Sequence, residues 1–277
     1  MHERAFRFGR ASHLVGIAGI PAAIASETGV VLLNAGLVHR IGPFRLHVDL
    51  TRRLNALGYA TLRFDLSTVG DSSSSGQSQT KQEQVCADVD DAMRLLAGEA
   101  GCTRFVLMGL CSGAQNAHIV ACTDPKVAGA IFLDGYAYRT IGYRFRYYVP
   151  KIFDMARWRR MLSRGSQTAT DKQKDPDPVF AVAPSPRDVV RADFVDMVAR
   201  GMKIFLIYSG GISNYFNHRR QFRECFGPVM SDARVTTTFV RESDHTYILT
   251  GDRHRLVERI EQWLSRNFPV PAVGTSS

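Results

Sequence analysis

The sequence predicts an α/β fold: a mostly parallel sheet with helices on both faces, interrupted by an inserted cap. Three observations predict it. Short apolar runs rich in Val, Ile and Leu recur along the chain, helix-length segments separate them, and one long stretch without such a run breaks the rhythm after Gly135. Strands alternating with helices in this way pair in parallel and are covered on both faces. A chain of 277 residues, 45% of them hydrophobic, can bury one such core together with a cap.

The elements follow in order. RAFRF and HLVGIAGI read as a β-hairpin across a turn containing Gly9 and Ser12. Residues 14–25, preceded by Arg4, Arg7 and Arg10, also have the outline of a signal-peptide apolar region, but the stretch is short and holds Pro21. GVVLLNAG (29–36) is a buried strand ending in a glycine turn. A helix follows, with Pro43 near its start and Gly58 as its stop. YATLRF (59–64) is the next strand, and DLSTVGDSSSSGQSQ is a polar loop. From Thr80 to Gly98, Val85, Val89, Met93 and Leu96 share a helix face, with Asp88, Asp90 and Asp91 on or beside the polar side. RFVLMG is a strand, AQNAHIVAC a helix of small residues that can lie close to a sheet, and VAGAIFLD (127–134) another strand.

From Tyr136 to about Asp193 the chain turns aromatic and basic, then proline-rich. The rhythm then resumes with a helix near 187–200, the strand KIFLIYS (203–209), a helix over 217–225, the strand RVTTTFV (234–240) and a last amphipathic helix over 252–267. The division expected is a core from residues 1–135 and 194–268, a cap over 136–193, and a flexible tail over 269–277. Residues 163–178 are polar enough to gate a site.

Five cysteines, Cys86, Cys102, Cys111, Cys122 and Cys225, show no CxxC spacing; they argue against a disulfide framework and suggest no zinc or other metal site. After the hairpin no segment reaches the roughly 20 apolar residues needed to cross a bilayer, so a soluble, cytoplasmic protein is expected. The net charge of +9, from 35 basic and 26 acidic residues, favours an acidic partner. No nucleic-acid motif accompanies it, and nucleic acid is not an expected partner.

The chemistry concentrates at FVLMGLCSGA (105–114), where a strand runs into Gly109-Leu110-Cys111-Ser112-Gly113 and then a helix. Glycines on either side of one nucleophilic residue allow a tight turn that leaves its side chain exposed at the helix N-terminus, where backbone N–H groups and the helix dipole favour an anion. A thiol gains from that position as a nucleophile, and the N–H of Ser112 can bind an oxyanion. The bland reading makes Cys111 a small buried hydrophobe beside a chance glycine pair.

With this turn in its strand-turn-helix context, the chain from about residue 4 to 268 resembles the α/β-hydrolase superfamily, with cysteine at the nucleophile elbow. LLNAGLVHR (32–40) resembles the family's loop that supplies the second oxyanion donor, which points to the N–H of Leu37. LRFDLSTVGDSS (62–73) resembles its R-x-D-x-x-G segment, with Thr68-Val69 where a glycine is frequent. More narrowly, the two stretches resemble serine aminopeptidase-like and exosortase-associated hydrolases.

The resemblance implies a histidine after the last strand, and His245 in SDHTY stands there as general base. It also implies an acid after the preceding strand, but SGGISNYFNHRRQFR (209–223) contains none. Asp134, at the end of its own strand, or Asn214 is then left to orient His245. His39 and Tyr136 are candidates for substrate contact, as are Arg157, Arg159 and Arg160 in the basic cap, which would receive an anionic group: the arm of a carrier protein, coenzyme A or a phosphorylated substrate. The reading is an acyl-transfer enzyme, a thioesterase, other hydrolase or acyltransferase, working through an acyl-Cys111 on a small-molecule ester or thioester without a cofactor. The alternative is a noncatalytic binding protein whose triad has decayed. Oligomeric state is not legible.

Overall fold

A computed structural model describes residues 2–22, 26–152 and 185–271. Its strands are β1 (His2–Phe8), β2 (Leu14–Ile20), β3 (Thr28–Leu33), β4 (Ala60–Asp65), β5 (Arg104–Leu110), β6 (Val127–Leu133), β7 (Lys203–Ser209) and β8 (Val235–Val240). The helices are α1 (Leu46–Ala56), α2 (Lys81–Ala100), α3 (Ser112–Thr123), α4 (Ile141–Ile152), α5 (Arg187–Ala199), α6 (Gln221–Phe226) and α7 (Thr250–Asn267).

The eight strands form one sheet in the order β1-β2-β4-β3-β5-β6-β7-β8. The β1–β2 hairpin is antiparallel, with Phe8 opposite Leu14, and β2 runs antiparallel to β4. From β4 to β8 every pairing is parallel. β3 and β4 are buried along their whole length, as strands covered on both faces must be. One face packs on α2, α3 and α5 through residues such as Val89, Met93, Ala117 and Phe194; the other packs on α1 and α7 through Leu50, Leu54, Ile260 and Trp263. Helix α2 opens on a reciprocal capping box between Thr80 and Glu83, worth about 1 kcal/mol, and stops at Gly101 in the left-handed region.

Three expectations change. Asp88 and Asp91 are buried rather than solvated. Asp88 accepts from the Ser67 N–H and hydroxyl and from Gln84, and Asp91 accepts from the Arg10 N–H, so the apolar stripe of α2 has carboxylates on its flank that tie it to the loop after β4 and to the β1–β2 turn. Helix α6 begins at Gln221 rather than near 217, because Asn217–Arg220 form a turn in which the Gln221 side chain accepts from the Asn217 N–H. The helix after the Cys111 turn begins two residues earlier than the small-residue run, at Ser112.

The expected cap over 136–193 falls largely on residues 153–184, which lie outside the described residues, as do Arg157, Arg159, Arg160 and the end of the chain from 272. All five cysteines are free thiols. Among the described residues no helix is long and apolar enough to cross a membrane.

Candidate active site

The turn between β5 and α3 is built by close backbone approach. A Cβ on Gly109 would lie 2.1 Å from the carbonyl group of Gly113, and a Cβ on Gly113 would lie 2.3 Å from the backbone oxygen of Asn34. Only glycine fits at either place, so the two residues that flank Cys111 are fixed by sterics, one by the turn itself and one by the loop after β3. Cys111 sits between them at φ 57°, ψ −117°, a conformation a side-chain-bearing residue adopts at a cost of about 1–3 kcal/mol. Its N–H donates to the Leu133 carbonyl, which ties the turn to the end of β6. The thiol is half-buried.

His245 lies five residues beyond β8 and half-buried. Its Nδ1 is 2.8 Å from Oδ2 of Asp134, and Cys111 is close enough to the ring to act on its titration. Asp134 is fully buried at the side chain and also accepts from the Ser209 N–H at 2.6 Å and hydroxyl at 2.7 Å. These three hydrogen bonds hold the carboxylate in the orientation that faces the imidazole. Asp244, next to the histidine, accepts from the N–H groups of Thr246 and Ile248 and holds the turn that follows; it does not orient the ring.

Of the two candidate orienters, Asp134 therefore reaches His245. Asn214 stands in the loop after β7 and offers its backbone carbonyl to Arg139 and to the Tyr143 hydroxyl. Ser209, which the sequence did not single out, completes the arrangement. The signal was available in the register, since Leu133 pairs with Ile207 and the ends of β6 and β7 therefore lie side by side.

Leu37 is at the tip of a tight turn closed by Val38 N–H donating to the Ala35 carbonyl, and it is 64% exposed. In that turn the Gly36 N–H donates to the Ser112 hydroxyl at 2.7 Å, so the hydroxyl of Ser112 pins the loop to the first turn of α3. Beneath the loop, buried Asp65 accepts from Asn34, from the Arg40 N–H and guanidinium, and from the Asp71 N–H. Leu37 and Ser112 both line a cavity of about 450 Å³. His39 is exposed beyond the turn. Tyr136, expected at the substrate, is buried instead, its ring against His118 and its hydroxyl 3.4 Å from that of Ser185.

Away from this site, His118, Cys122 and Asp193 place one potential metal-ligand atom each within 4.8 Å of the others, with His118 Nε2 2.9 Å from the Asp193 carboxylate. Their positions on α3 and α5, some 70 residues apart, hide them from any spacing rule. Burial and then Asp193 raise the Cys122 thiol to about 12, so it is a poor ligand unless a cation displaces its proton.

The hydrogen bond to Asp134, then the neighbouring Cys111, raises His245 to about 10 against the opposing effect of burial. An unfolded imidazole titrates near 6.5. A group whose folded value is raised contributes stability that is fully present below about 6.5 and is lost as pH climbs through about 10. The gap in Tm between the native protein and His245→Ala is expected to be widest below about pH 6.5 and to shrink toward pH 10. A gap that stays constant across that window would contradict the assignment.

An eight-stranded sheet with an antiparallel second strand, carrying at its centre a strained turn that presents one side chain to a histidine and a buried carboxylate, defines the α/β-hydrolase architecture. The alpha/beta hydrolase family matches residues 30–275, and the chain belongs to that family. No curated protein matches the chain by sequence. Among solved structures it is similar to an esterase of Pyrococcus furiosus at 13% identity and a TM-score of 0.62, covering 96% of this chain and 91% of that one. It is also similar to an alpha-beta serine hydrolase homologue from Coxiella burnetii at 14% identity and a TM-score of 0.57, covering 94% and 96%. An alpha/beta hydrolase from a Penicillium species gives 12% identity and a TM-score of 0.56 over 97% and 99%. At these identities the likeness is one of fold.

Proposed function

We propose that the protein is an acyl-transfer enzyme that hydrolyses or transfers the acyl group of an ester or thioester through a covalent acyl-Cys111. The observation that supports this reading is the 2.8 Å pair of His245 Nδ1 with buried Asp134, placed beside Cys111 at the apex of its strained turn. In the proposed step Nε2 of His245 acts as general base and takes the Cys111 thiol proton as the sulfur attacks. Sulfur attacks the carbonyl carbon and forms the C–S bond; the bond to the leaving oxygen or sulfur breaks, and Nε2 of His245 gives its proton to that atom. Water, an alcohol or an amine then attacks the thioester, the now neutral Nε2 takes its proton, and the thiolate leaves.

The N–H groups of Ser112 and Leu37 are the proposed oxyanion donors, and the bond from the Gly36 N–H to the Ser112 hydroxyl ties the loop that carries Leu37 to the start of α3. Asp134 keeps the ring in one tautomer and stabilises the imidazolium. The reading is tested by intact-protein mass spectrometry after mixing with a panel of acyl thioesters and activated esters. An acyl adduct on the native protein that is absent from Cys111→Ala supports it, and the decay of that adduct in water against added amines or alcohols separates hydrolysis from transfer. No adduct and no turnover across the panel would favour a binding protein.

The basic stretch holding Arg157, Arg159 and Arg160 is proposed to receive the anionic carrier of the acyl group. Reversing all three to Glu is expected to raise KM for a carrier- or coenzyme A-bound donor about tenfold, with KM for a small neutral ester unchanged. Equal effects on both donors would remove the carrier from the proposal.

A further inference from the structure

Helices α3 and α5 meet through three side chains that take no part at the elbow. His118 and Cys122 are four apart on α3 and share a face, and Asp193 reaches them from α5. Among the described residues they are the one group of three histidine, cysteine or carboxylate side chains whose donor atoms all lie within 4.8 Å of one another. A tetrahedral zinc ion, with bonds of about 2.0 Å to nitrogen and oxygen and about 2.3 Å to sulfur, spaces its ligand atoms roughly 3.3–3.7 Å apart. The 2.9 Å between His118 Nε2 and the Asp193 carboxylate falls just inside that spacing and the 4.8 Å limit just outside it. Side-chain shifts of about an ångström would close all three around one ion.

The surroundings of His118 point to a cation. The residue is 3% exposed, and its ring packs among Phe132, Tyr136 and Phe194. Its Nδ1 is buried with no hydrogen-bond partner among the described residues, while Nε2 faces a carboxylate. If Nε2 carries the proton, Nδ1 is a bare lone pair shut among aromatic rings, a desolvated acceptor with nothing to answer it. If Nδ1 carries it, that N–H can rest against a ring face, but the Nε2 lone pair then meets another acceptor. A cation between Nε2 and the carboxylate removes both conflicts, since a metal takes the Nε2 lone pair and leaves the proton on Nδ1. A second proton, making an imidazolium paired with Asp193, is the competing occupant, and it gives Cys122 no role.

We infer that His118, Cys122 and Asp193 bind one zinc ion, with water as its fourth ligand. Nitrogen, sulfur and oxygen together suit zinc, whereas magnesium and calcium take oxygen ligands. On binding, the Cys122 thiol releases its proton to solvent and the S–Zn bond forms. Thiolate, carboxylate and dication then sum to zero, so no net charge enters this part-buried place. His118 is buried while Cys122 and Asp193 are partly exposed, so the water position of the ion faces solvent. The ion would tie the end of α3 to α5. Cys122 stands eleven residues beyond Cys111, about 16 Å along α3, so the site is independent of the proposed acyl chemistry.

The test strips the Cys111→Ala protein, which lacks the thiol at the elbow, with a chelator and titrates it with zinc and with cobalt. One zinc per chain is expected to bind with a Kd of about 10 μM or tighter. The cobalt form should show a thiolate-to-metal charge-transfer band beside the visible bands of a tetrahedral ion. Adding Cys122→Ser should abolish the charge-transfer band, and Asp193→Asn, which keeps the shape of the side chain, should weaken zinc about tenfold or more. Both variants leave the His118 ring and its aromatic packing in place. Saturating zinc should also raise the Tm of the Cys111→Ala protein by several degrees, because the ion binds the folded chain, and this rise should be lost with Cys122→Ser. Binding weaker than about 10 μM overturns the inference and leaves His118 to an imidazolium pair with Asp193. A charge-transfer band that survives Cys122→Ser overturns it by assigning the metal to another thiol, and an affinity that Asp193→Asn changes less than about tenfold removes the carboxylate and with it the site.

Discussion

Cys111→Ala is expected to lower kcat on any accepted donor by about 10⁴-fold or more, with the fold intact. The side chain is half-buried and removing one sulfur opens little space, so thermal unfolding should move by no more than a few degrees. In the proposed mechanism His245 and Asp134 act through Cys111, and residues that work as a unit do not lose activity additively. The double variant Cys111→Ala, His245→Ala should therefore be no slower than Cys111→Ala alone. Steady-state rates on an activated ester decide the matter. A Cys111→Ala protein that retained a tenth of native activity would show that another group carries the reaction, and Ser112 would be the next side chain to replace.

Gly113→Ala carries the largest expected effect on stability. Its Cβ would stand 2.3 Å from the Asn34 backbone oxygen and 2.9 Å from that of Leu33, and backbone cannot swing aside as a side-chain tip can. Helix α3 must retreat from β3, which undoes packing of the small-residue face of α3 and pulls Ser112 off the Gly36 N–H. A loss of about 3 kcal/mol or more is expected, which for a chain of this size lowers Tm by roughly 6–12 °C. Activity should fall further than stability accounts for, since the proposed oxyanion donors move apart. Calorimetry beside rates measured well below Tm separates the two effects, and an unchanged Tm would mean that the close approach is not a constraint.

Much of this was legible because the signals are local. β7 has the limits that the run KIFLIYS predicts, and Gly109 and Gly113 mark a turn that needs close approach. His245 follows β8 at the distance the resemblance implies. The choice of Asp134 over Asn214 was open in the sequence, because it depends on which of two parallel strand ends points at the histidine loop, and only the register resolves that. Tyr136 and Asp88 show the other limit. An aromatic residue after a strand can line a site or fill a core, and a carboxylate beside an apolar helix face reads as solvated unless its partners are known. The partners of Asp88 include Ser67, 21 positions away.

The hairpin that opens the sheet bears on how copies of the protein meet. β1 is the outermost strand, and it carries Glu3, Arg4 and Arg7 among residues that are mostly open to water. Arg4 pairs with Glu99 of α2, and Glu3 with Arg52 of α1 and Arg63 of β4, so charges from both sides of the sheet crowd the rim. A second molecule that tried to extend the ladder along β1 would have to strip water from these groups before gaining a single backbone bond. The strand that completes the sheet on this side thus also ends it, and protects crowded molecules from templating one another into aggregates.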